Sequence, residues 1–146
     1  MLNTILRKRA QVLVLILVLS VLVTAATAFA ATRIIRAKKG GKIDVAPGVS
    51  LVIKPGGLAE DAVVSAYMKV KRNRICFSLN AAALDDGDDI ELTKPAALNV
   101  SWLAIHGVED LTLYGQNGEE IEPAKKTRWG VRYDIEHFSL YYFRRR

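Results

Sequence analysis

From residue 42 to residue 144 apolar side chains recur at every second position in short runs, and Gly, Pro, Asn or Asp closes each run. A period of two is that of a half-buried strand, and turn residues spaced roughly 8 to 12 apart are the mark of an antiparallel all-β domain. No stretch of this region sustains a helical period. The pattern predicts strands over 42–45, 49–53, 63–71, 74–79, 90–92, 98–105, 111–115, 119–122, 128–135 and 138–144, a number that suits two packed sheets. Val64, Ala66, Met68 and Val70 would share one face, as would Leu98, Val100 and Trp102, and these rows are the expected core. Gln116-Asn117-Gly118-Glu119 predicts a type I′ hairpin, because Asn and Gly both tolerate positive φ. Lys54-Pro55-Gly56-Gly57-Leu58 stops a strand, since proline cannot donate to a ladder. Residues 80–84 contain three alanines and are expected to form one helical turn.

The amino-terminal fifth of the chain follows a different pattern. Arg7, Lys8 and Arg9 stand without an acid in residues 1–10, residues 12–23 are apolar apart from Ser20, and Ala28-Phe29-Ala30 offers small residues at the two positions that signal peptidase reads. Residues 1–30 are therefore expected to be an export signal cut between Ala30 and Ala31, leaving residues 31–146 as one domain. The competing expectation is a retained anchor helix over residues 12–31, about the 20 residues that span a bilayer. Either way the basic flank stays in the cytoplasm and the rest is exported, secreted or held at the outer face of the cytoplasmic membrane. The apparent basicity changes accordingly. The whole chain carries +6, but removing residues 1–30 leaves 18 basic against 15 acidic residues, a net charge of +3. With export, that small excess argues against a nucleic-acid partner. Cys76 is the single cysteine, which precludes an intramolecular disulfide, and its β-type neighbours make it a half-buried small side chain.

The run Asp134-Ile135-Glu136-His137-Phe138-Ser139-Leu140 holds the one candidate for nucleophilic chemistry. Alternation puts His137 and Ser139 on one face of a strand and Phe138 and Leu140 on the other. The tripeptide can be read as a packed edge or as a nucleophile beside its base.

Three pieces, in order, carry a family resemblance: Gly40-Gly41-Lys42-Ile43 with Val49-Ser50-Leu51-Val52-Ile53-Lys54-Pro55-Gly56-Gly57-Leu58, then Thr93-Lys94-Pro95-Ala96-Ala97-Leu98-Asn99-Val100, then Glu136-His137-Phe138-Ser139-Leu140-Tyr141. Together they resemble the ZU-five domain of zonula occludens scaffolds, netrin receptors and ankyrins, which has looser relatives in exported bacterial proteins. The resemblance implies an immunoglobulin-like antiparallel β-sandwich acting as a non-enzymatic interaction module for a protein or cell-envelope partner. This chain has Lys54-Pro55-Gly56-Gly57-Leu58 where the family usually has Pro-Pro-Gly-Ala-Leu, and it lacks the accompanying domains of the eukaryotic members, so spectrin-type binding does not carry over. The resemblance also implies an alternative, because some members cut themselves between Phe and Ser of a His-Phe-Ser sequence, as does the unrelated nucleoporin autoproteolytic domain. Here Ser139 would attack the Phe138 carbonyl in an N-to-O acyl shift with His137 as base, and water would hydrolyse the ester.

Other candidates are weaker in chemistry. Asp85, Asp86, Asp88 and Asp89 form an oxygen-rich loop that suggests calcium, but their spacing departs from the twelve-residue calcium loop and also suits a solvated turn. His106 and His137 are too few for zinc, and no Gly-x-Ser-x-Gly elbow exists for a serine hydrolase. No cofactor is expected. Trp102, Tyr114, Trp129, Tyr133, Tyr141 and Tyr142 could form a platform for sugar, which would make the domain a glycan-binding module, but most occupy core-facing positions. Trp129, between Arg128 and Gly130, is the one expected to be exposed. Basic groups at Lys38-Lys39, 69–74, Lys125-Lys126 and 144–146 would suit an anionic lipid, polymer or protein if they cluster, and membrane association through residues 12–31 is a further expectation.

Overall fold

A computed structural model of the protein describes residues 28–71, 74–102 and 111–145. Residues 1–27, His106, Arg72 and Arg146 lie outside these, and with them most of the predicted signal or anchor. Eleven strands and no helix occur among the described residues, and none of those residues forms a helix long and apolar enough to cross a membrane. The fold is all-β, with two antiparallel sheets. The larger sheet orders β1 (Ala28–Ile35), β4 (Ala62–Lys71), β5 (Arg74–Ala83), β11 (Leu140–Arg145), β7 (Leu111–Tyr114) and β8 (Glu120–Ile121) side by side. The smaller orders β2 (Gly41–Ala46), β3 (Val49–Ile53), β6 (Ala96–Ser101), β10 (Gly130–Ile135) and β9 (Lys125–Lys126). Four hairpins, β2–β3, β4–β5, β7–β8 and β9–β10, stay within a sheet, and the links between them carry the chain from one layer to the other.

Period-two alternation builds the core of this sandwich. Val64, Ala66 and Met68 of β4 point inward with Phe77 and Leu79 of β5 and Tyr141 and Phe143 of β11, facing Leu51, Leu98, Val100, Val131, Tyr133 and Ile135 of the smaller sheet. Phe143 meets Phe77 within its sheet and Tyr133 across the layers, both edge to face at 5.7 and 5.6 Å. Each of the Val, Leu, Ile, Met and Phe side chains among them contributes about 1.5–3 kcal/mol by burial. The predicted rows through Val64 and through Leu98 are core, with Val70 and Trp102 packed at its margin, and Cys76 is a half-buried free thiol.

Several sequence expectations are corrected. Residues 80–83 form no helical turn but extend β5, where Ala81 and Ala83 are inward-facing small residues paired with Val64 and Ala62. Residues 90–92 form no strand: Leu92 makes an isolated bridge with Leu58, and Asp89, just before them, makes one with Ala82. At Gln116-Asn117-Gly118 positive φ occurs at Gly118 alone (81°), and no non-glycine residue among those described has it. Gly118 N donates to Gly115 O at 3.0 Å and Gly115 N to Glu119 O at 2.9 Å, so a left-handed glycine closes a three-residue loop in place of a type I′ turn. Strand β1 was not foreseen: Ala28, Phe29 and Ala30, the residues of the expected cleavage site, pair with Lys69, Met68 and Tyr67, and Phe29 packs on the core.

Candidate functional site

The His-Phe-Ser tripeptide does not lie in a strand. Residues 136–139 bend where the chain leaves β10 in the smaller sheet and enters β11 in the larger. The sheet change breaks the two-residue alternation, leaving His137 exposed and Phe138 partly buried against the core. Buried Tyr141 pins the corner by donating its hydroxyl to His137 O at 2.7 Å. Burial and the nearby Glu119 and Glu136 carboxylates push the Tyr141 hydroxyl above its ordinary pKa, against the opposing effect of that hydrogen bond. Ser139 O accepts from Leu79 N at 2.9 Å, and Ser139 Oγ donates to Gln116 Oε1 at 3.0 Å. No hydrogen bond joins the His137 imidazole to Ser139 among the described residues.

This corner walls a cleft of about 380 Å³ together with Asn80, Asp89, Glu91, Asn117 and Glu119. The lining has three carboxylates and no lysine or arginine. The acids do not converge: among the described residues no three His, Cys, Asp or Glu side chains form a group that could hold a metal ion. Asp85, Asp86, Asp88 and Asp89 are exposed in the link after β5, with Asp86 Oδ1 accepting from Asp88 N at 3.0 Å, the local bonding by which Asp stabilises turns.

A second cleft of about 410 Å³ opens at the other end of β10, lined by Asn99, Ser101, Lys125, Thr127, Trp129 and Arg132 among others, with no acidic residue. The sequence builds it through the β9–β10 hairpin. Thr127 is the brace: its Oγ1 accepts from Trp129 N and Gly130 N at 3.2 Å each, its N donates to Gly130 O at 2.9 Å, and its O accepts from Trp102 Nε1 at 2.9 Å. Trp129 O in turn accepts from Trp102 N at 3.1 Å, tying the hairpin tip to the end of β6. Gly130 is required by close approach, since a Cβ there would collide with the Val100 carbonyl oxygen. The Trp129 ring stands out from this braced tip, 68% exposed, with the Arg128 guanidinium 4.5 Å from its centroid. Arg132 Nε is shielded from solvent without a hydrogen-bond acceptor and lies 3.6 Å from Asp134 Oδ1.

The other aromatics do not join Trp129. Tyr133 and Tyr141 are core residues, Trp102 is partly buried, and Tyr114 and Tyr142 stack on each other at 5.5 Å on the larger sheet. Arg132 carried no signal in the sequence, Asn99 stood only within the family-like motif, and Lys125 only within a basic pair. Their proximity comes from register, Arg132 opposite Asn99 on one side and Lys125 on the other, and only the Arg128-Trp129-Gly130 run signalled the place. Scans against family models, curated proteins and solved structures return no match.

Proposed function

We propose that this chain is an exported, non-enzymatic binding module, an immunoglobulin-like sandwich of the ZU-five kind, whose cleft beside Trp129 takes a cell-envelope polymer bearing sugar rings. The exposed Trp129 ring on a hydrogen-bonded hairpin tip carries the reading. A large aromatic gains little by pointing into water, and a rigid one loses little entropy on meeting a partner. Asn99, Ser101 and Thr127 offer hydroxyl and amide partners, and Lys125 and Arg132 offer charge for a carboxylate or phosphate on the polymer. The glycan-binding alternative and the cell-envelope reading thus merge at one surface. The Tyr141 hydroxyl bonded to the backbone four residues upstream, at the corner between sheets, resembles the tyrosine corner of immunoglobulin-like sandwiches and supports that part of the assignment.

The test is co-sedimentation of the full chain in mild detergent with insoluble cell-envelope polymer. Trp129→Ala should weaken binding by about tenfold or more, the loss of a central aromatic anchor. Binding by Trp129→Ala equal to that of the parent chain would refute the site.

A further inference from the structure

We propose that the end of the larger sheet at which β1 begins is a docking surface for the anionic phospholipid headgroups of a bilayer. Antiparallel pairing brings five chain segments to this end. Ala28, the first residue of β1, pairs with Lys69 near the end of β4; Lys71 pairs with Arg74 at the start of β5; and Phe143 pairs with Ile75, so that Arg144 and Arg145 of β11 run out beside Arg74. Arg145 pairs with Leu111, the first residue of β7. Lys71, Arg74, Arg144 and Arg145 are exposed and Lys69 partly so, and none of the five forms an ion pair among the described residues. Strands β1, β4, β5, β7 and β11 contain no acidic residue.

Asp61 before β4, the aspartates of the 85–89 turn after β5 and Glu119 in the β7–β8 hairpin stand at the opposite end of the same sheet, where Arg36 pairs with Asp61, while Glu122 follows β8 and Glu109 and Asp110 directly precede β7 in the sequence. Along β4, β5 and β11 the exposed positive charge therefore concentrates at the end where β1 begins. A surface of anionic headgroups attracts the basic end and repels the acidic one, which fixes orientation as well as contact. The sequence adds an independent reason for a membrane at this end. Strand β1 follows directly on the apolar run 12–23 and the small residues 24–27, so a bilayer holding that run meets the domain where β1 begins. Lysine and arginine close to an anionic bilayer act additively and over a Debye length of about 8–10 Å at moderate salt.

Hydrogen exchange of the full chain in lipid nanodiscs tests this. In discs containing one-third phosphatidylglycerol, amides at the end of β4 and the start of β5 should exchange about fivefold more slowly than in pure phosphatidylcholine discs, as expected for a covered surface. Salt at about 1 M should abolish the difference. The variant Lys71→Glu/Arg74→Glu/Arg144→Glu/Arg145→Glu should lose it while amides of β6 and β10 stay protected. If that variant does not fold, Arg144→Gln/Arg145→Gln should reduce the difference by about half. Equal exchange in the two kinds of disc, or failure of the chain to enter discs at all, would overturn the proposal. Loss of polymer binding by Trp129→Ala bears on the other cleft alone, so the two readings fail separately.

Discussion

Strand β10 ends in a cleft on either side, and the two clefts are nearly equal in volume, about 380 and 410 Å³, but opposite in chemistry. At its far end the cleft beside His137 is walled by Asp89, Glu91 and Glu119, and its polar groups are spent on the fold: the Tyr141 hydroxyl on His137 O, Ser139 Oγ on Gln116, Ser139 O on Leu79 N. At its near end the cleft beside Trp129 holds Lys125 and Arg132 and no acid, and there the hydrogen bonds of Thr127 go to holding a ring out in solvent. Internal hydrogen bonds mark a structural corner, whereas a braced ring held 68% exposed beneath the Arg128 guanidinium is available to a partner.

Truncating the aromatic of each cleft separates them most sharply. Tyr141→Ala removes a ring that is 4% exposed and should cost about 3–5 kcal/mol in denaturant unfolding. Trp129→Ala should stay within about 0.5 kcal/mol of the parent. Similar losses at both sites would erase the distinction. Gly130→Ala is intermediate, because the new Cβ presses on the Val100 carbonyl of the neighbouring strand. It should cost about 1–3 kcal/mol and weaken polymer binding by displacing Trp129, while undisturbed binding would mean that the cleft floor is irrelevant.

Alkaline titration probes the structural corner alone. Burial raises the pKa of the Tyr141 and Tyr133 hydroxyls above 10.0, so the unfolded chain ionises first. Their stabilising contribution is full below about pH 10 and is lost as pH rises through the folded values. Unfolding midpoints should fall above about pH 10, and less steeply in Tyr141→Phe; an unchanged slope would show that the Tyr141 hydroxyl is not shielded.

The smallest effect belongs to Ser139→Ala. Its hydroxyl is engaged with Gln116, and no non-glycine backbone at the corner has positive φ, so the intact mass of the purified chain should show no break between Phe138 and Ser139 in either form. A nick after Phe138 that Ser139→Ala abolishes would give this corner a chemistry the comparison denies it.

The same contrast explains what could be read in the residues. Alternation located β3 and β4 almost to the residue, because both faces of a strand leave their mark locally. It failed at residues 80–83, where alanine favours a helix in isolation but fits under the pairing of β5 with β4. It failed again at His137-Phe138-Ser139, because the apolar pattern runs on through a change of sheet and carries no sign of it. Trp129 was legible through its neighbours, a charged residue before it and a glycine after it. The cleft around it was not, since Asn99, Lys125 and Arg132 meet only through the registers of β6, β9 and β10. Strand β1 was hidden by residues as suitable for a cleavage site as for an edge strand.

The chain has two tryptophans, one at the cleft and one beneath the hairpin, so fluorine NMR of the full chain labelled with 5-fluorotryptophan gives one signal for each. Addition of soluble fragments of cell-envelope polymer should shift or broaden the Trp129 signal, assigned by its loss in Trp129→Phe, and leave that of Trp102 in place. An unmoved Trp129 signal under conditions where the polymer binds the protein would contradict the assignment of the cleft.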